Sequence, residues 1–112
     1  MQITVSTGME PTVTSVTGRL DLRSAPELRA QVMAALVAGS GSMVIDLEDV
    51  EFIDSSGLGV LIGLHKQAEA KGGRLAIVPP TGSARQIFAL TRTESFFTLV
   101  PNQEAARVPL GS

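Results

Sequence analysis

Residues 54–59, with the sequence Asp-Ser-Ser-Gly-Leu-Gly, carry the side chains best suited to chemistry in this chain. A carboxylate and two hydroxyl groups stand there just before an apolar stretch with helical periodicity. The backbone N–H groups at a helix start are unpaired and carry the positive end of the helix dipole, so they favour an anion such as a phosphate group. The alternative interpretation is that Asp54, Ser55 or Ser56 only caps the helix.

Three glycines, Gly57, Gly59 and Gly63, follow these polar residues inside the predicted helix. Each glycine costs about 1 kcal/mol relative to alanine within a helix, and a helix cap requires none of them. We therefore predict that another body approaches this helix closely. Two candidates remain open, namely a neighbouring strand of the same chain and a partner protein laid across the first turns of the helix.

The other residues of the chain do not form the pattern of a catalytic, cofactor or metal site. The single histidine, His65, follows Ser56 by nine residues, which places it on the opposite helix face and about 13 Å along the axis. The glycine spacing resembles a dinucleotide-binding motif, but the acidic residue expected about twenty positions further on is missing. One histidine and no cysteine do not make a metal site. We therefore expect no enzyme, no metal and no cofactor, and His65 is expected to pack or cap locally.

The composition of the chain argues against nucleic acid and membrane as partners. The 112 residues carry a net charge of −2, tryptophan and tyrosine are absent, and the basic residues are scattered rather than clustered. We therefore expect no direct contact with nucleic acid. The chain has no cysteine, no apolar run long enough to span a bilayer and no basic segment at its start, so we expect a cytoplasmic protein without a membrane segment.

Acidic residues are concentrated in the first half of the chain. Residues 1–56 hold eight acids and three arginines, a net charge of −5, whereas the second half carries a net charge of +3. Five of the acids lie between residues 46 and 54. This run predicts an acidic surface that favours a basic partner, and the alternative is a solvated loop.

Strands and helices alternate along the chain, which indicates an α/β fold with a mixed sheet. Two segments rich in β-branched residues, 3–7 and 13–20, predict an opening hairpin. A capping-box pattern at Ser24 and Glu27 starts a helix over residues 25–38. The further elements are a buried strand over 43–47, a helix over 56–71, a strand over 75–78, a helix capped by Ser83, a strand over 96–100 and a tail helix capped by Asn102. All of them fit one domain, residues 1–112.

Four segments occur in a distinctive order along the chain. They are Gly-Arg-Leu-Asp at 18–21, Val-Ile-Asp-Leu at 44–47, residues 52–61 around Asp-Ser-Ser-Gly, and Gly-Gly at 72–73 before a buried strand. Together they resemble a STAS domain of the anti-sigma factor antagonist type, over nearly the whole chain. The resemblance implies a mixed sheet of about four to five strands with helices packed mainly on one side.

The resemblance also implies a non-enzymatic switch in the control of transcription. In this family the unphosphorylated protein binds an anti-sigma factor that is itself a serine kinase, and a sigma factor is thereby released. The kinase then phosphorylates the second serine of the motif, which is Ser56 here, and a serine phosphatase resets the protein. The alternative is a STAS scaffold or transporter-associated module in which Ser56 is never phosphorylated.

The partner-binding residues that the resemblance implies are Asp21, Asp54, Ser55, Ser56, Gly57, Leu58 and Gly59. Phosphorylation adds a charge of about −1.5 to −2 beside Asp54, and this charge weakens an interface by repulsion. Gly57 is expected to leave room for the catalytic loop of the kinase. Asp21 lies near Ser56 only according to the family pattern, and its alternative role is that of a turn-capping aspartate.

Overall fold

Strands and helices alternate along the chain as the sequence indicates. The structure is a computed structural model that describes residues 1–6, 11–38 and 42–106. Its strands are β1 (Gln2–Ser6), β2 (Thr12–Leu20), β3 (Met43–Ile53), β4 (Leu75–Val78) and β5 (Thr98–Leu99). Its helices are α1 (Ala25–Ala38), α2 (Ser55–Ala70), α3 (Gln86–Leu90), which continues a 3₁₀ turn over Gly82–Arg85, and α4 (Gln103–Ala106). Within these ranges no helix is both long and apolar enough to cross a bilayer.

The strands form one sheet in the order β1-β2-β3-β4-β5. β1 is antiparallel to β2 and every other neighbouring pair is parallel, so the predicted mixed sheet is confirmed. β2 and β3 pair from Thr12 opposite Met43 to Leu20 opposite Ile53. Because these two strands are parallel, the chain leaves both of them at the same edge of the sheet. The loop into α1 therefore lies beside the start of α2.

Helices α1 and α2 cover one face of the sheet. Their buried apolar side chains include Leu28, Val32 and Leu36 of α1 and Leu58, Leu61 and Leu64 of α2. Full burial of one leucine side chain contributes about 1.5 to 3 kcal/mol, so this face holds most of the stabilising contacts. On the other face, the Gln103 side chain of α4 donates a hydrogen bond of 2.6 Å to Asp46 Oδ2. The helices thus pack mainly on one side, as the resemblance implies.

Strand β3 extends beyond its predicted end at Leu47. It has 11 residues and runs through the acidic segment, because its pairing with β2 continues to Ile53 across two register shifts. Val50 and Ile53 point into the core. The exposed acidic positions between them and before them are Glu48, Asp49 and Glu51. The solvated-loop alternative is therefore wrong, and these acids project from a strand.

Helix α1 and strand β4 have the predicted limits, and the pairing of β1 with β2 confirms the opening hairpin, although residues 7–10 of its turn lie outside the described residues. The capping-box prediction is wrong. The Glu27 N–H donates to the main-chain oxygen of Ser24 at 3.1 Å. The Ser24 hydroxyl instead turns back to the Arg19 carbonyl at 2.7 Å and accepts the Asp21 N–H at 3.0 Å, because the chain makes a tight turn there.

The last third of the chain departs most from prediction. Ser83 lies inside the 3₁₀ turn rather than at a helix start, and α3 begins only at Gln86. β5 has two residues instead of the predicted five, because the N–H groups of Phe96 and Phe97 donate to the Thr93 carbonyl in a turn, at 3.0 and 3.1 Å. The tail helix is confirmed, with Asn102 Oδ1 accepting the Ala105 N–H at 2.8 Å.

Candidate functional site

Asp54 connects β3 to α2 and caps the helix. Its backbone is extended (φ −104°, ψ −175°), and its Oδ1 accepts a hydrogen bond of 2.9 Å from the Gly57 N–H. The helix therefore begins at Ser55, one residue earlier than predicted. Because Asp54 satisfies the helix start, the hydroxyls of Ser55 and Ser56 are not needed as caps. Neither hydroxyl forms a hydrogen bond with any described residue.

The second oxygen of Asp54 binds the loop between β2 and α1. Asp54 Oδ2 accepts the Leu22 N–H at 3.2 Å, and the Asp54 N–H donates to the Leu20 carbonyl at 3.2 Å. One residue thus ties the start of α2 to the chain on both sides of Asp21. The structure therefore brings Asp21 and the serine pair to the same edge of the sheet, as the family pattern implies.

Asp21 also organises the turn into α1. Its Oδ1 accepts hydrogen bonds from the backbone N–H groups of Arg23 and Ser24, at 3.1 and 3.3 Å. Its Oδ2 lies 3.6 Å from Arg19 Nε. Desolvation alone raises the pKa of Asp21, but the hydrogen bonds from Ser24 and Arg23 and the positive charge of Arg19 outweigh it, so the pKa lies below its ordinary value. The turn-capping role is therefore present, and it keeps the carboxylate ionised.

Ser56 lines a groove between α1 and α2, whereas Ser55 is exposed outside it. The groove has a volume of about 550 Å³. Its other lining residues are Leu22, Ala25, Pro26, Arg29, Ala30, Met33 and Val60. Most of them are apolar, and Leu22 exposes 72% of its surface at one end. The half-buried hydroxyl of Ser56 thus stands beside an open apolar surface.

Sequence reasoning missed this groove, although a signal for it exists. The stripe of α1 that packs into the core consists of residues spaced by four, such as Leu28 and Val32. A second apolar stripe, formed by Pro26, Ala30 and Met33, lies beside the first and lines the groove, and only Met33 of the three also packs against the core. The apolar face of α1 is therefore wider than its packing against the core requires. Such excess apolar width indicates a surface open to a partner.

Gly57 is enclosed by the neighbouring strand. A Cβ atom built on it would collide with the carbonyl oxygen of Leu20 and lie 2.7 Å from Leu20 Cγ. The predicted close approach is confirmed here, and the approaching body is the end of β2. The expectation that Gly57 leaves room for a kinase loop is wrong, because Leu20 already occupies that space. Leu58 is likewise buried, with 5% of its surface exposed, so it anchors the helix and offers no side chain to a partner.

Gly59 and Gly63 lie on the exposed face of α2. No described atom outside the helix backbone comes within 4 Å of a Cβ built at either position. The neighbouring-strand explanation is therefore wrong for these two glycines. The explanation by a partner protein stays a prediction.

His65 lies at the other end of α2, away from the serines. Its ring is buried, with its centre 4.7 Å from that of Phe96 and 5.9 Å from that of Phe97. Its Nε2 lies 3.2 Å from Glu69 Oε1, one helical turn further on. The prediction that His65 packs locally is confirmed.

Comparison with known proteins identifies the family. A family model described as STAS domain matches residues 1–106. An anti-sigma F factor antagonist from Lysinibacillus sphaericus is 34% identical over 80 residues, which are 70% of this chain and 68% of that protein. An anti-sigma-B factor antagonist from Bacillus subtilis (strain 168) is 29% identical over 90 residues, which are 80% of this chain and 82% of that protein.

A solved structure agrees with the sequence matches. The crystal structure of an anti-sigma factor antagonist from Mycobacterium paratuberculosis is 30% identical in sequence and has a TM-score of 0.78. The match covers 94% of this chain and 91% of that one. The chain therefore belongs to the STAS domain family, and these relatives to which it is similar are anti-sigma factor antagonists.

Proposed function

We propose that this chain is an anti-sigma factor antagonist that acts in the cytoplasm as a non-enzymatic switch. In its unphosphorylated form it binds an anti-sigma factor with serine kinase activity, and the sigma factor held by that kinase is released. The names of its relatives support the type of protein. The observation that carries the mechanism is the unused hydroxyl of Ser56 in the first turn of α2, where Asp54 already provides the cap.

The switch is a phosphoryl transfer from ATP to Ser56. A bond forms between the γ-phosphorus and Ser56 Oγ, and the bond from that phosphorus to the oxygen of ADP breaks. ADP leaves, and the hydroxyl proton passes to a base of the kinase. A serine phosphatase later hydrolyses the phosphate ester with water and restores the hydroxyl. No hydrogen bond among the described residues depends on that hydroxyl, so the transfer should leave the domain folded.

Ser56 is preferred to Ser55 because of its surroundings. Ser56 lies on the wall of the apolar groove, whereas Ser55 is exposed and does not line it. A kinase bound over the groove therefore contacts the Ser56 hydroxyl rather than that of Ser55. The same contact surface then serves both for binding and for recognition of the acceptor.

Phosphorylation weakens the complex through charge. The carboxylates of Asp21 and Asp54 stand at this edge of the sheet, and phosphoserine adds a charge of about −1.5 to −2 beside them. An interface matched to the unphosphorylated surface loses complementarity at that point. The exposed glycines, Gly59 and Gly63, support a close approach of the partner to the next two turns of α2.

Phosphorylation by candidate kinases tests this proposal. The full chain is incubated with each anti-sigma kinase encoded near its gene and with ATP, and the modified residue is located by peptide mass spectrometry. We expect phosphate on Ser56 in the wild type and in Ser55→Ala, and none in Ser56→Ala. Phosphate on Ser55 alone would contradict the site.

Binding measurements separate the switch from the alternative function. A STAS scaffold or transporter-associated module takes up no phosphate, and its partner binds the protein equally well with serine or phosphoserine at position 56. The switch requires both a modification at Ser56 and a loss of affinity after it.

A further inference from the structure

Arg29 lines the same groove as Ser56 and has no counter-ion within the described part of the chain. It extends from α1, is exposed, and forms no ion pair or side-chain hydrogen bond with any described residue. Apart from Ser56, the other lining side chains are apolar and offer the guanidinium no polar group. The groove therefore holds one unpaired charge and one unbonded hydroxyl.

The acidic groups nearby already have partners. Both carboxylate oxygens of Asp54 accept backbone hydrogen bonds, from Gly57 and Leu22. Asp21 accepts two backbone hydrogen bonds on one oxygen and faces Arg19 with the other. Neither carboxylate lines the groove, so neither competes for Arg29.

The other nearby arginines differ from Arg29. The Arg19 guanidinium lies 4.1 Å from the centre of the Phe52 ring and beside Asp21, so it is engaged outside the groove. Arg23 is exposed in the loop before α1 and does not line the groove. Arg29 is the only arginine among the groove's lining residues within the described part of the chain.

We propose that Arg29 is the counter-ion of phosphorylated Ser56, bridging the groove from α1 to the phosphate on α2. This inference rests on the proposed function, since the phosphate must first be attached. A guanidinium is suited to the role because its planar donors match two phosphate oxygens at once. The ion pair lies across the groove and covers apolar wall residues such as Met33 and Val60. Phosphorylation thus closes the apolar surface that the unphosphorylated protein offers its partner, in addition to changing the charge.

The test measures the second pKa of the phosphate in the full chain. Phosphoserine is installed at position 56 during protein synthesis, so the result does not depend on any kinase. The pKa is read from a ³¹P NMR titration of the wild type and of Arg29→Gln. A neighbouring guanidinium favours the dianion, so we expect the pKa to rise by about 0.5 pH units or more in Arg29→Gln. The difference should shrink in about 1 M salt, where exposed charges are screened.

Two controls make the result specific. Arg23→Gln removes the same charge from the same end of the molecule, and phosphoserine at position 55 puts the phosphate outside the groove. Arg23→Gln should leave the pKa of the phosphate at position 56 unchanged, and Arg29→Gln should leave the pKa of a phosphate at position 55 unchanged. Arg29→Lys should keep part of the lowered pKa at position 56. Equal pKa values in wild type and Arg29→Gln, or equal shifts in Arg23→Gln and Arg29→Gln, would overturn the pairing. Failure of every kinase to modify Ser56 would instead refute the proposed function and leave this measurement valid.

Discussion

The two faces of α2 use glycine in opposite ways. On the buried face, Gly57 is required because Leu20 occupies the space of any side chain. On the exposed face, Gly59 and Gly63 have no described neighbour outside the helix, so packing within the chain does not explain them. Each glycine costs about 1 kcal/mol relative to alanine in a helix. The same residue type therefore marks a packing constraint on one face and an open surface on the other.

Substitution of Gly57 by alanine is expected to have the largest effect. Helix propensity alone predicts a gain of about 1 kcal/mol, but the new Cβ meets the Leu20 carbonyl, and overpacking of this kind costs about 1 to 3 kcal/mol. We expect a net loss of stability, measured by urea unfolding. Gly63→Ala is the matched control on the exposed face and should gain up to about 1 kcal/mol. If both variants were stabilised equally, the contrast between the two faces would disappear.

Charge at position 56 is expected to have the next largest effect, on partner affinity. Ser56→Ala removes a hydroxyl without a described partner, so the fold and the complex should both persist. Ser56→Asp adds one charge and phosphoserine adds about 1.5 to 2, so affinity should fall in that order. For phosphoserine we expect a loss of about tenfold or more, which is about 1.4 kcal/mol. Calorimetry with the anti-sigma kinase and ADP measures the series, and three equal affinities would exclude control by charge.

Gly59→Val tests whether the exposed face of α2 meets a partner. Valine and glycine differ by a few tenths of a kcal/mol in helix propensity, and open space surrounds the new side chain, so thermal stability should hardly change. Binding to the anti-sigma kinase should fall, because the isopropyl group of valine stands where the partner is proposed to approach the helix backbone. Gly59→Ala should lose less affinity. Unchanged binding of both variants would show that the partner does not cover this position.

Asp21 is expected to give the smallest effect, through pH. Desolvation opposes its ionisation, but hydrogen bonds from Ser24 and Arg23 and the charge of Arg19 lower its pKa in the folded state. A carboxylate with a lowered pKa stabilises the fold above its unfolded pKa of about 3.9, and this contribution is lost as the pH falls through the folded value. Asp21→Asn should therefore be slightly less stable than wild type at neutral pH, and the gap should close below about pH 4. A gap in the urea midpoints that widens on acidification would contradict this account.

Local patterns predicted the elements that local interactions define. Helix α1 and strand β4 match their predicted limits because helical periodicity and flanking breaker residues act within a few positions. The end of β3 was not predictable in this way, since the strand continues only because β2 lies beside it as far as Ile53. The capping box at Ser24 failed for a different reason, because a competing local contact, the turn at Asp21, engages the Ser24 hydroxyl.

The sequence by itself determined the alternation of strands and helices, the family and the motif that holds Ser56. The alternation of elements and the motif depend on residues that are close together along the chain, and the family follows from the order of four such short segments. Only the tertiary structure decided which side chain caps α2, which glycine is enclosed by Leu20 and that Arg29 shares a groove with Ser56. The cap joins residues only three positions apart, but the local sequence left Asp54, Ser55 and Ser56 as alternatives. The other two relations join segments about 30 residues apart, and only the parallel pairing of β2 with β3 and the packing of α1 against α2 bring those segments together.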